Sequence, residues 1–174
     1  MKKTIIFTIL ATLILGMTIN VSAANTNSDW EGYGGLSFYS FDEDEAGDDS
    51  SIGFFAGARK WNSEQLSFGG EWDYTSYDAF GYIDASLMGI LGTVTYKISD
   101  TVSLNGGLGI YKFKVENGGF SNSENDLGMR IGAETNIPLD NDMELMGRIG
   151  YRIIEIEDAD FGGLQLSAGL TKKF

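Results

Sequence analysis

Eight stretches between Tyr33 and Phe174 place apolar residues at every second position, and this period of two dictates what the chain can fold into. In the last of them Leu164, Leu166, Ala168, Leu170 and Phe174 share one side, while Gln165, Ser167, Gly169 and Thr171 share the other. Side chains alternate across an extended strand, so each stretch reads as a strand with one oily face. The pattern is cleanest at Leu127, Met129, Ile131, Ala133 and Ile137, set against Gly128, Arg130, Gly132, Glu134 and Asn136. It recurs at Met143, Leu145, Ile149, Tyr151 and Ile153 against Glu144, Arg148, Gly150 and Arg152. Turn-forming residues separate the strands, which are expected at Tyr33–Phe41, Ile52–Trp61, Leu66–Tyr77, Ile83–Ile98, Val102–Val115, Asp126–Ile137, Met143–Ile156 and Leu164–Phe174. The class is all-β.

Alternation alone does not say where the oily face points. A lipocalin-like barrel or a sandwich turns it inward, whereas a membrane barrel turns it to lipid. Strand length favours lipid, since a tilted strand needs about 9–11 residues to cross the hydrocarbon core and ordinary soluble strands have about 5–6. Trp61, Trp72, Tyr96 and Tyr151 stand near strand ends, where aromatic rings meet membrane interfaces. In the fourth stretch both faces are apolar enough to meet lipid, and we place Met88, Ile90, Val94, Tyr96 and Ile98 outward. The connections alternate too. Asn62–Gln65, Ser99–Thr101 and Pro138–Asp142 are short, whereas Asp42–Ser51, Asp78–Tyr82, Glu116–Asn125 and Glu157–Gly163 are longer or more acidic. The expected fold is an eight-stranded antiparallel up-and-down transmembrane β-barrel, with tight turns and both termini at one end and larger loops at the other.

Lys2 and Lys3, the apolar run Ile5–Met17 and the small residues Val21 and Ala23 read as a secretory signal peptide cleaved after Ala23. Residues 24–174 then form one barrel domain. That domain keeps all twenty-five acidic residues and ten of the twelve basic ones, a formal charge of −15, which excludes nucleic acid as a partner. The abundant aromatic residues set it apart from a disordered acidic chain. Without cysteine there is no disulfide framework.

The closing strand, apolar at alternate positions up to a terminal aromatic residue, resembles that of small bacterial outer-membrane β-barrels of the OmpA/OmpX type. The resemblance covers residues 24–174 in architecture. It implies a monomer in the cell outer membrane, in contact with lipid and lipopolysaccharide, whose Leu166, Leu170 and Phe174 are read by the barrel-assembly machinery. Lys172 departs from the family pattern, which has an apolar or aromatic residue there. The resemblance further implies a role in envelope integrity, surface interaction or adhesion. Fifteen acidic residues fall at the longer connections and their adjoining strand ends, and such a rim attracts cationic ligands or basic host proteins.

The polar face carries Arg59, Glu71, Asp73, Arg130, Glu134, Glu144, Arg148 and Arg152. Eight strands leave an interior that side chains fill, so these charges are expected to pair inside the lumen. A narrow porin-like channel, in which Arg148 and Arg152 exchange partners among Glu71, Glu134 and Glu144, is the second reading. Asp42, Asp44 and Asp48 are weak calcium candidates, because Ala46 takes a ligand position and Gly53 stands where a bidentate Glu is required. No other metal and no cofactor is expected. The chain has no histidine and no cysteine, so the usual nucleophile and base pairs cannot be assembled, and an enzyme is not expected. Lipid-modifying catalysis is the least favoured alternative.

Overall fold

A computed structural model describes residues 30–41, 50–79, 83–117, 120–139, 142–156, 159–160 and 162–174. In chain order the strands are β1 (Trp30–Phe41), β2 (Ser50–Trp61), β3 (Leu66–Ala79), β4 (Ile83–Lys97), β5 (Val102–Asn117), β6 (Phe120–Pro138), β7 (Met143–Ile156), the two-residue β8 (Ala159–Asp160) and β9 (Gly163–Lys173). Each long strand pairs antiparallel with the next, and β9 returns to β1 from Glu31↔Lys173 to Phe41↔Gly163. The sheet is therefore a closed barrel of eight long strands, which removes the open edges that a membrane would not tolerate. No helix occurs among the described residues.

The three short connections sit at one end. Asn62 and Ser63 donate their backbone N–H groups to the Leu66 carbonyl, Ile98 and Ser99 donate to Val102, and Leu139 donates to Met143. In the first two turns a serine hydroxyl, of Ser63 or Ser99, accepts a backbone N–H from the returning strand. Such side-chain to backbone bonds are why Ser and Asn suit tight turns.

At the opposite end the expected loop Glu116–Asn125 is replaced by ladder. β5 and β6 stay paired up to Asn117↔Phe120, eight rungs beyond the last rung of β6 with β7, Gly128↔Ile154. The polar run in β6 has little strand propensity of its own. Its partner β5, with Phe113 and Val115, supplies the ladder and the cross-strand contacts.

The faces separate cleanly. Ile52, Ile90, Leu36 and Leu127 are each at least 60% exposed and form part of an apolar belt, together with Ile110, Ile131, Ile149, Leu166 and Leu170. Phe54, Trp72 and Tyr74 cluster on this belt with ring centroids 5.1–6.4 Å apart. An apolar surface on every strand of a closed sheet has no soluble use, and lipid is the solvent that accepts it. In β4 the outward side is that of Met88, Ile90, Val94 and Tyr96, since Leu87, Leu91, Thr93 and Thr95 are buried within. Met129 shares the outward register with Leu108 and Ile153 but is only 5% exposed.

β1 and β2 alternate poorly in sequence because their inward positions also carry rings. Tyr33, Tyr39, Phe55 and Trp61 are all buried in the lumen. The interface position anticipated for Trp61 is thus wrong. Its ring turns inward between two cations, with the Arg59 guanidinium 5.2 Å and the Lys97 amine 3.9 Å from the ring centre.

Lumen glycines make room for these rings. A Cβ on Gly89 or Gly128 would come within 2.5 Å of the Tyr111 ring, so that ring lies in a slot between them. We expect Gly89→Ala to destabilise the barrel by about 1–3 kcal/mol through overpacking, measured by urea unfolding in detergent micelles. An unchanged midpoint would show that Tyr111 has room to move.

Candidate functional site

The inward register stacks charge on charge. Arg59 lies opposite Glu31 and Glu134 opposite Arg148, and Glu71, Arg130 and Arg152 occupy inward positions further up the barrel. Arg59 donates through Nε to Glu31 Oε2 at 2.7 Å and through Nη1 to Glu134 Oε1 at 2.8 Å. Arg148 bridges Glu134 Oε2 at 3.2 Å and Glu71 Oε2 at 2.9 Å. Arg130 then grips Glu71 with both terminal nitrogens, Nη2 reaching Oε2 at 3.1 Å. Glu31, Arg59, Glu134, Arg148, Glu71 and Arg130 form one chain of alternating sign, all buried.

Glu144 stands outside this chain, contrary to the sequence expectation. It is the short-turn-end member of an inward row, at the start of β7, and its carboxylate meets the exposed Lys173 amine at 2.5 Å on the rim. Glu31 takes its place in the lumen. Sequence reasoning missed Glu31 because it precedes the first recognised strand residue, Tyr33, yet it shares the parity of Tyr33, Ser37 and Tyr39, and that parity marks it as inward.

Asp73 and Arg152 lie in a second layer toward the loop end. Tyr111 donates its hydroxyl to Asp73 Oδ2 at 3.2 Å, and the Arg152 guanidinium lies 4.0 Å from the centre of the Tyr39 ring. Arg152 is directly opposite Arg130 in the ladder, a like-charge juxtaposition that is costly unless each has its own partner. Glu71 serves Arg130, and the Tyr39 face receives Arg152. Gln165 completes the layer, donating to Ser37, Tyr39 and Ser167 at 3.1–3.2 Å. Among the described residues four buried arginines face four buried carboxylates, Glu31, Glu71, Asp73 and Glu134, so this buried charge balances. That balance is what a low-dielectric interior demands. Chemically the arrangement can hold the barrel shut and rigid, because Arg59–Glu134, Arg148–Glu71 and Arg130–Glu71 each cross the lumen between strands that are not neighbours in the sheet.

The other predicted positions fall elsewhere. Leu166 and Leu170 lie outward on β9, and Phe174 donates its backbone N–H to the Trp30 carbonyl at 2.9 Å. The calcium candidates Asp42, Asp44 and Asp48 lie outside the described residues, as does the signal segment. Among the described residues no cluster of acidic side chains is placed to hold a metal ion.

An oily belt around a closed antiparallel sheet, with a charge-balanced core where a soluble barrel would be oily, defines a transmembrane β-barrel. The chain belongs to the outer membrane protein beta-barrel domain family, whose sequence profile matches residues 9–171. Its place is the cell outer membrane. Among solved structures it is similar to Neisserial surface protein A, with a TM-score of 0.65 at 16% identity over 84% of this chain and 97% of that one. It is also similar to OprG from Pseudomonas aeruginosa, with a TM-score of 0.59 at 11% identity over 84% and 96%. The attachment invasion locus protein Ail of Yersinia pestis, solved with the heparin analogue sucrose octasulfate, has a TM-score of 0.56 at 21% identity over 83% and 96%. Identities this low report a shared fold. No curated protein matches the chain in sequence.

Proposed function

We propose that this protein is a non-enzymatic surface barrel whose working part is the acidic loop end, above all the β5–β6 hairpin, and whose lumen is a closed structural plug. One observation carries the proposal: β6 stays paired with β5 for eight rungs past its last rung with β7, about 27 Å along the strand, while β5 itself is backed by β4 as far as Glu116. Beyond Gly128 the outer edge of β6 has no further ladder partner among the described residues, because β7 pairs with β8 instead. Such an edge can accept an extended segment by strand addition. The chain carries 25 acidic against 12 basic residues, so the partner it favours is cationic. The sulfated ligand seen with Ail is of the opposite sign, and we do not extend it to this chain.

The test is decalysine binding to the barrel in phosphatidylcholine vesicles. Trimming the hairpin by replacing residues 113–124 with an Asn-Gly turn is expected to weaken binding about tenfold, about 1.4 kcal/mol, while Glu116→Gln/Glu124→Gln keeps most of it. Affinity should fall with salt, since the contacts are exposed. Equal binding by the trimmed and the charge-neutralised proteins would sink the edge reading, and absence of binding by the intact barrel would sink the function.

The filled lumen supports a barrel that does not conduct. Purified protein in a planar bilayer is expected to show no unitary conductance, and discrete openings would favour the channel reading instead.

A further inference from the structure

We propose that Gly32 is a built seat for the Phe174 ring, and that the two form a clasp that locks the seam between the first and last strands. The seam is the one ladder in the barrel that joins opposite ends of the chain, from Glu31↔Lys173 to Phe41↔Gly163. At its short-turn end two backbone bonds pin the last residues to both neighbours, Phe174 N–H to the Trp30 carbonyl and Lys173 N–H to the Asp142 carbonyl, each at 2.9 Å. The ring then folds back over β1. A Cβ built on Gly32 would stand 3.1 Å from Phe174 Cε2 and 3.7 Å from Cζ, with no other atom close enough to matter. The Lys172 amine lies 5.6 Å from the centre of the same ring, so a cation caps the free side of the clasp.

Nothing else explains a glycine here. Gly32 lies within a regular ladder, one rung from the end of the seam, between Ala58 and Lys172, and its backbone is not in the left-handed region that favours glycine. Its position faces outward with Leu36 and Phe38, where a branched apolar side chain would meet lipid and suit an extended strand. By propensity and burial alone, Gly32→Val should therefore stabilise the barrel. The edge of the Phe174 ring reverses that expectation, because Cε2 and Cζ stand where a Cβ would go, while the rest of the residue, 76% exposed, faces outward.

The experiment measures the temperature at which the compact folded gel band converts to the unfolded one, for barrels refolded in phosphatidylcholine vesicles. Gly32→Val is expected to lower the midpoint by about 3 °C in the full chain and to raise it in a Phe174→Ala background. Folding of Gly32→Val only in the Phe174→Ala background would support the clasp equally. If Gly32→Val fails to fold in both backgrounds, Gly32→Ala decides, with the same change of sign and a smaller size. A midpoint that rises or stays put in the full chain, or shifts alike in both backgrounds, overturns the proposal.

Discussion

Glu71→Ala is expected to lower the unfolding free energy by about 3–5 kcal/mol, the largest effect of any single carboxylate in the chain. Glu71 is 3% exposed and accepts from two guanidiniums, Arg130 and Arg148, neither of which can reach water in its place. Removing it leaves Arg130 without its carboxylate and Arg148 with Glu134 alone, in a barrel that is already filled by side chains. The attraction lost is only part of the cost, and the stranded charge is the rest. Glu144→Ala is the matched control. Its pair with Lys173 sits on the rim, with the lysine side chain 46% exposed, so that change should cost no more than about 1 kcal/mol. Urea unfolding of both variants in one detergent separates the cases. Similar small losses would mean that the lumen is wetter than its burial indicates.

The second large effect concerns assembly. Deleting Phe174 is expected to reduce the fraction of chain recovered as heat-modifiable barrel in the outer-membrane fraction about tenfold, while Lys172→Tyr leaves it nearly unchanged. The deletion removes a backbone bond to Trp30 and an aromatic contact on Gly32, each worth about 1 kcal/mol, at the seam between the first and last strands. Lys172 is exposed beside the terminal ring, its amine 5.6 Å from the ring centre, at an outward position where an amphipathic side chain suits a membrane interface. Tyrosine would suit it as well. Full insertion of the truncated chain would remove the reading of Leu166, Leu170 and Phe174 as an assembly signal.

The lumen shows where sequence reasoning reaches and where it stops. Parity assigns Arg59, Glu71, Asp73, Arg130, Glu134, Arg148 and Arg152 to the inward face without coordinates, because a strand can only alternate. It says nothing about height. Glu144 has the same parity as Arg148 but lies four rungs nearer the rim, and that difference sends its carboxylate to Lys173 instead of into the chain of charges. Trp61 fails for a related reason. A tryptophan near a strand end suits either the lipid interface or the lumen, and only the closeness of Arg59 and Lys97 from β2 and β4 decides for the inside.

By itself the sequence determined the all-β class, the eight long strands, their antiparallel up-and-down order and the choice of lipid over water for the oily face. Each of these rests on a local quantity, a period of two, a strand length or a turn residue, that is complete within about a dozen residues. Tertiary structure alone decided which arginine meets which glutamate, that Glu31 joins them, that Phe174 rests on Gly32, and that β5 and β6 continue through what reads as a loop. Those outcomes depend on register between strands far apart in the chain, and register is set by closure of the whole barrel, which no single stretch of sequence contains.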